Sequence, residues 1–334
     1  MKKNKIICLL LSLFLMIGIF TSCNSKKNKT DNTDKKIKVI STIFPTYDVA
    51  KEIVGEKANN FDIELLSSNG VDLHSYKPSA DDIVRIAKSN IFIYVGGESD
   101  KWAEDVIKQA KKINPNLICV NLVKILGDKA KEEEIKEGME KDDHDDHDDH
   151  DKEDEKELDE HVWLSLENME TFTEEIGKVL GKVDSKNAEY YKKQADIYED
   201  KLDKLNDKYE DAVKKSSKKT LVFADRFPFR YLIDDYKLNY YAAFVGCSTE
   251  SNASFETVKF LANKADQNNL NYILVIEGNN KKIANSVIQN TRNKNQKILT
   301  MDSMQSINEN DIKSGKTYLK TMENNLEILK KALS

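Results

Sequence analysis

Asp184-Ser-Lys-Asn-Ala-Glu-Tyr-Tyr-Lys-Lys-Gln-Ala-Asp-Ile-Tyr-Glu-Asp-Lys-Leu-Asp-Lys-Leu-Asn-Asp-Lys-Tyr-Glu-Asp-Ala-Val-Lys-Lys-Ser216 is the stretch that decides how this chain is organised. It holds neither Pro nor Gly, and most of its residues are good helix formers. Tyr190, Ile197, Leu202, Leu205, Tyr209 and Val213 supply a sparse apolar stripe at helical spacing. At 1.5 Å per residue, a helix of about 30 residues spans about 45 Å, which makes it a strut between larger bodies. A coiled-coil arm is the alternative, but the stripe is too short and irregular for sustained heptads.

On either side of the strut, short apolar runs alternate with helical patterns. Before it, strands are expected at Lys38–Ser41, Phe61–Leu66, Ile91–Val95 and Leu117–Val120, and helices at Tyr47–Val54, Ser79–Lys88 and Lys101–Lys112. Ser79 is a natural N-cap. After it, strands are expected at Leu221–Ala224, Tyr240–Phe244, Tyr272–Ile276 and Lys297–Thr300. Helices are expected there at Phe229–Asp235, Ser254–Asn268, Lys281–Arg292 and Ile312–Ala332. Strands separated by helical crossovers indicate parallel sheets. The fold class is therefore α/β, with two lobes, each a small, mostly parallel sheet flanked by helices, joined by one long rigid helix. Residues 38–183 form the first lobe, 184–216 the interlobe helix and 217–334 the second lobe. A ligand is expected at the carboxyl ends of the strands, in the cleft between lobes.

The amino-terminal stretch lies outside this scheme. Lys2, Lys3 and Lys5 precede an apolar run from Ile6 to Phe20 that is shorter than the roughly 20 residues a membrane-spanning helix needs. It has the character of a signal peptide over residues 1–22. Phe20-Thr21-Ser22-Cys23 has the pattern of a bacterial lipobox, with Phe20 where Leu is commoner. Cys23 is thus the expected lipidation site, and a secreted protein cleaved nearby is the alternative. Residues 23–37, rich in Asn, Lys, Ser, Thr and Asp, read as a flexible tether. The expected location is extracytoplasmic, on the outer face of the cell membrane. Of the four cysteines, Cys8 leaves with the signal and Cys23 carries lipid, so Cys119 and Cys247 remain as buried thiols rather than a disulfide framework. The net charge of -6 gives no reason to expect a nucleic-acid partner, and a monomer is expected.

The five histidines are placed unevenly. His144, His147 and His150 lie in Asp142-Asp-His-Asp-Asp-His-Asp-Asp-His150, within an almost wholly charged segment, 128–160, which is expected as an exposed loop. His74 and His161 flank it, and none follows His161. Imidazole is the commonest neutral ligand for zinc and similar ions, and carboxylates complete such sites. His74 stands in Gly70-Val-Asp-Leu-His-Ser-Tyr-Lys-Pro-Ser79, after a strand and before a helix, where a cleft ligand belongs. An ordinary surface histidine is the alternative. His161 stands in Asp159-Glu-His-Val-Trp-Leu164, where the chain leaves the charged segment and enters the core. Its alternative is a satisfied, half-buried histidine.

These two segments resemble the zinc and manganese substrate-binding proteins of ABC importers, the TroA-like group. There, a Gly-x-x-x-His-x-Tyr-x-Pro-Ser segment carries the first metal ligand and an Asp-x-His-Val-Trp-Leu segment the second. The resemblance implies His74 and His161 as ligands and an acidic His-rich loop before the second. The family's third ligand, His or Glu, falls on Arg226 of Leu221-Val-Phe-Ala-Asp-Arg-Phe-Pro-Phe-Arg-Tyr-Leu232, and a guanidinium cannot coordinate a cation. Asp225 is the substitute; capping a helix or pairing with Arg226 is its alternative role. The fourth ligand falls on Asp302 of Lys297-Ile-Leu-Thr-Met-Asp-Ser303. Glu250 and Glu277 are further acidic candidates, more often supporting or solvated groups. Cys247 suits a soft metal, but a buried structural thiol is the preferred reading.

Two imidazoles and two carboxylates accept zinc or manganese, and the His-rich loop favours zinc. The resemblance implies capture of zinc for an ABC permease, with manganese import or metal-dependent surface adhesion as alternatives. No His-Glu-x-x-His or comparable catalytic signature is present, so no enzymatic activity is expected.

Overall fold

The computed structural model describes residues 36–140, 157–248 and 252–334. Cys23, His144, His147, His150 and Glu250 lie outside them. The first lobe runs β1 (Ile37–Ser41), α1 (Phe44–Val54), β2 (Phe61–Leu65), α2 (Ala80–Ala87), β3 (Ile91–Tyr94), α3 (Lys101–Ile113), β4 (Ile118–Asn121) and α4 (Leu122–Leu126). Then come α5 (Leu166–Val183) and the long α6 (Ala188–Lys215). The second lobe runs β5 (Thr220–Phe227), α7 (Arg230–Asp235), β6 (Asn239–Val245), α8 (Phe255–Gln267), β7 (Tyr272–Ile276), α9 (Lys282–Asn290), β8 (Lys297–Met301), α10 (Glu309–Lys313) and α11 (Tyr318–Ala332).

Each lobe holds a parallel four-stranded sheet, in the orders β2-β1-β3-β4 and β6-β5-β7-β8. The two sheets repeat one topology, with the first strand of each lobe lying between the second and third. Strand order reverses beside β1 and β5, and loops leaving the carboxyl ends of neighbouring strands diverge there and open a crevice. Near-continuous apolar strands such as Ile91-Phe-Ile-Tyr94 fit sheets covered on both faces. One face of the first sheet is sealed by Ile86, Ala103, Val106 and Ala110 of α2 and α3. One face of the second is sealed by Leu261, Ala262, Val287 and Ile288 of α8 and α9.

The opposite faces meet in a single core. It runs from Val39 and Ile93 of the first sheet through Met169, Phe172, Leu202 and Tyr209 to Phe223, Leu274 and Leu329. The lobes are therefore welded through α5, α6 and α11, and a wide hinge would have to expose that core.

Helix α6 lies inside the interval expected for it, and its cationic end, Lys214 and Lys215, complements the helix dipole. Its buried face is Tyr191, Ala195, Tyr198, Leu202, Leu205, Tyr209 and Val213. The expected stripe was misplaced in its first half: Ile197 is exposed and Tyr190 only partly covered. Two other expectations need correction. Ile312–Ala332 is not one helix but α10 and α11, broken where Gly315 takes φ +81°, a left-handed conformation that a side chain resists. The ends of the charged segment are not a solvated loop either. Glu132 bridges Leu158 as an antiparallel pair, Glu140 N–H donates to Ala243 O at 2.9 Å, Met139 is buried, and Glu134 pairs with Arg230. These described ends strap the first lobe to the second.

Candidate metal centre

His161 follows the acidic strap and opens a short 3-10 turn, Val162–Leu164, whose three side chains are fully buried. Trp163 in that turn donates from Nε1 to Ser303 O at 2.9 Å, and its own carbonyl accepts from Tyr318 Oη at 2.8 Å. The turn is thereby pinned to the second lobe. One carboxylate oxygen of Asp159 accepts both His161 N–H and His161 Nδ1–H, each at 2.9 Å. With its proton held on Nδ1, the imidazole presents the Nε2 lone pair to the cleft.

His74 sits in a 3-10 turn, Leu73–Ser75, capped by Asp72, whose Oδ1 accepts His74 N–H at 3.1 Å. Its Nδ1 lies 2.7 Å from Ser99 Oγ and 3.7 Å from Glu160 Oε2. Its Nε2 lies 3.1 Å from His161 Nε2. A tetrahedral zinc with Zn–N bonds of about 2.0–2.1 Å holds two nitrogens about 3.3 Å apart, so the pair needs to open only slightly to admit an ion. Burial, and then the neighbouring His161, push the His74 pKa down to about 3. The ring is therefore neutral at physiological pH, which is the form that ligates.

The third potential ligand converging on this point is Cys247. Its Sγ and ring nitrogens of His74 and His161 all lie within 4.8 Å of one another. Cys247 follows β6, in the turn after Gly246. A Cβ on Gly246 would meet His161 Cε1 at 2.8 Å and Phe227 O at 3.0 Å, so only glycine lets the ring reach the cleft. Burial, and then the carboxylates of Glu133, Glu160 and Asp159, hold the Cys247 thiol well above its ordinary pKa. Sequence reading named this residue but preferred a structural role for it.

Among the described residues, the acidic candidates do not join this group. A bulge in β5 between Phe223 and Arg226 displaces Asp225, yet its carboxylate turns to backbone donors, accepting Ile276 N–H and Arg226 N–H, both at 2.9 Å. Burial raises its pKa. Asp302 pairs with Lys316 and accepts Met304 N–H at 2.9 Å. Glu277 accepts from Ser303 N–H at 2.7 Å, Ser303 Oγ at 2.6 Å and Gln305 N–H at 3.2 Å. Burial, followed by the charge of Asp302, raises its pKa. Arg226 reaches across the cleft to Asp72, Nη2 to Oδ2 at 2.7 Å, joining the lobes beside the imidazoles. Burial opposes ionisation of Asp72, but the hydrogen bond and charge of Arg226 outweigh it and hold the carboxyl below its usual range. Beyond the ligand candidates, Ser99, Asp159 and Glu160 orient the rings. The Asp and Glu preceding His161 were visible in sequence, whereas Ser99 had no signal there. Next to these groups a cavity of about 360 Å³ is lined from both lobes, by Asp72 and Ser75 and by Arg226, Glu277 and Asn279.

The two-lobed α/β fold, braced by a long helix, brings two imidazoles and a thiol together at its strand-end loops in an arrangement that could hold a metal ion. The chain belongs to the ZnuA family, described as zinc-uptake complex component A, periplasmic, whose model matches residues 39–332. It is 29% identical over 332 residues to the high-affinity zinc uptake system protein ZnuA of Bacillus subtilis, covering 99% of this chain and 98% of that one. It is 27% identical over 329 residues to the zinc-binding lipoprotein AdcA of Streptococcus pneumoniae R6, covering 98% of this chain and 60% of the relative. The chain thus spans about 60% of the length of the AdcA proteins it matches. The crystal structure of the metal-dependent lipoprotein YcdH from Bacillus subtilis shares its fold, with TM-score 0.71 at 24% identity, covering 90% of this chain and 100% of that one.

Proposed function

We propose that this chain is a substrate-binding lipoprotein that captures one zinc ion between its lobes and hands it to an ABC permease, and that it is not an enzyme. The observation that carries the reading is the pair of imidazole Nε2 atoms 3.1 Å apart, each ring braced through its other nitrogen. Two relatives named for zinc, one of them matched over nearly its whole length, favour zinc over manganese. In this reading His74 and His161 grip the ion, and the His144/His147/His150 segment raises its local concentration. A lipid on Cys23 tethers the protein outside the membrane as a monomer. No helix among the described residues is long and apolar enough to cross a membrane, and in this reading a separate permease carries the ion across.

Release follows from the same architecture. The shared core resists wide opening. The ion is freed when the permease shifts the short turns that carry the ligands, which breaks coordination without unfolding either sheet. The test is calorimetric titration of zinc, and of zinc against manganese, into the wild type and the His74→Ala/His161→Ala double variant. One tight equivalent, lost in the variant and not displaced by manganese, supports the reading. Undiminished one-to-one affinity in the variant overturns it. Zinc accumulation by cells carrying the same variant tests delivery.

A further inference from the structure

We infer that Cys247 is itself a metal ligand. The site is then a two-imidazole, one-thiolate centre that selects zinc and comparably soft cations and rejects manganese. This rests on the reading that His74 and His161 hold the ion, and it adds the donor that the second lobe supplies.

Three independent observations carry it. First, among the described residues, His74, His161 and Cys247 form the one group of three or more potential ligands whose donor atoms converge within 4.8 Å. Tetrahedral coordination with Zn–N of about 2.0–2.1 Å and Zn–S of about 2.3 Å needs N–S separations of about 3.6 Å. The donors already lie within 4.8 Å of one another, so each N–S pair has at most about 1.2 Å to close.

Second, the other second-lobe candidates are engaged elsewhere. Arg226 has no lone pair to give and is bound to Asp72. Asp225 caps the backbone at the end of β7, Glu277 is bound by the Ser303–Gln305 turn, and Asp302 holds Lys316. Recruiting any of these carboxylates would strip a partner from a buried or half-buried donor. Recruiting Cys247 costs its thiol proton and the hydrogen bond that the thiol makes to the Glu133 carboxylate, and leaves no backbone donor unpaired.

Third, the surroundings are built around this point. Gly246 clears the space His161 occupies, and Cys247 N–H is fixed by Glu133 Oε1 at 3.0 Å. Gln305, 7% exposed, acts on the His74 ring, yet neither of its amide atoms makes a hydrogen bond of normal geometry. Buried polar atoms are rarely left so. That unpaired amide stands beside the His74 ring.

The S–H bond breaks, a sulfur–metal bond forms, the proton leaves to solvent, and no redox change occurs. Thiolate donors favour zinc and softer ions, whereas manganese favours carboxylate and water oxygen.

Cobalt(II) titration of the full chain, read by absorption, tests this. Cobalt bound through sulfur gives an intense thiolate-to-metal charge-transfer band in the near ultraviolet. The expected result is that band, saturating at one equivalent, lost in Cys247→Ser, with cobalt and zinc affinities falling at least about tenfold in that variant. Peptide-mapped alkylation should show Cys247 protected by one equivalent of zinc while Cys119 stays equally reactive. One-to-one cobalt binding that needs His74 but shows no thiolate band overturns this inference and leaves the two-histidine site standing. Absence of one-to-one binding in the wild type overturns both. Because the decisive band is read in the wild type, the result does not depend on any variant folding.

Discussion

Gly246→Ala tests the geometry without touching any proposed ligand. The added methyl would lie 2.8 Å from His161 Cε1, 3.0 Å from His161 Nδ1 and 3.0 Å from Phe227 O. The closest approach is roughly 0.6 Å short of ordinary contact, an overpacking that costs about 1–3 kcal/mol. Phe227 O belongs to the paired strand β5 and cannot retreat, so the imidazole is the part that moves. Turning it strains the Nδ1–H bond to Asp159 and swings Nε2 off the axis it shares with His74. Disturbing the orientation of a metal-bound histidine typically costs 10–100-fold in affinity, about 1.4–2.8 kcal/mol. The variant should therefore melt a few degrees lower in the metal-free state and bind zinc one to two orders of magnitude more weakly by competition titration. Gly315→Ala is the control. It strains a left-handed position with no atom within 4 Å of its new methyl, so it should lower Tm and leave zinc affinity unchanged. Zinc affinity in Gly246→Ala within twofold of wild type would refute the placement of His161 in the cleft.

Other consequences are as direct. Burial raises the Asp48 pKa from 3.8 to about 6, while its carboxylate accepts Tyr318 N–H at 2.8 Å. A raised acid stabilises the fold most below the unfolded value, and that contribution is lost as pH rises towards and through 6. Asp48→Asn keeps the acceptor and removes the charge, so it should stabilise the metal-free protein at pH 8 by up to about 3 kcal/mol and hardly at all at pH 4, as denaturant melts at both pH values will show. Leu202→Ala, in the fully buried face of α6, should cost about 2–5 kcal/mol in urea unfolding and leave zinc affinity within twofold. Deleting residues 141–156 should remove weak additional zinc equivalents from a calorimetric titration and preserve the tight one; loss of the tight one would place a ligand in that segment.

The parallel sheets were legible because short apolar runs alternate with helical patterns, and Tyr272–Ile276 is a strand at the bounds its composition suggests. Helix α5 went unread even though Leu166, Met169, Phe172, Ile176 and Leu180 recur at helical spacing. Its two glycines lower intrinsic propensity, and packing against α6 overrides them. The α6 stripe differs because Tyr190 and Tyr191 are equivalent in sequence, and tertiary packing decides which is covered: Tyr191 sets its ring edge-on to Phe61 of β2. The imidazole pair was legible from its flanking motifs. The ranking of the remaining donors was not, because it depends on which of them the fold has already satisfied. Nothing local reveals that Lys316 neutralises Asp302, that the end of β7 occupies Asp225, or that the turn after β6 delivers Cys247 to the histidines.

The central claim is that His74 and His161 hold one cation between the lobes. Its most direct test is a crystal structure of the zinc-loaded protein with diffraction measured on both sides of the zinc absorption edge. The account predicts one dominant anomalous peak in the cleft, about 2.0–2.1 Å from Nε2 of both histidines and about 2.3 Å from Cys247 Sγ. A dominant peak elsewhere, or a cleft ion that either ring fails to touch, would contradict it.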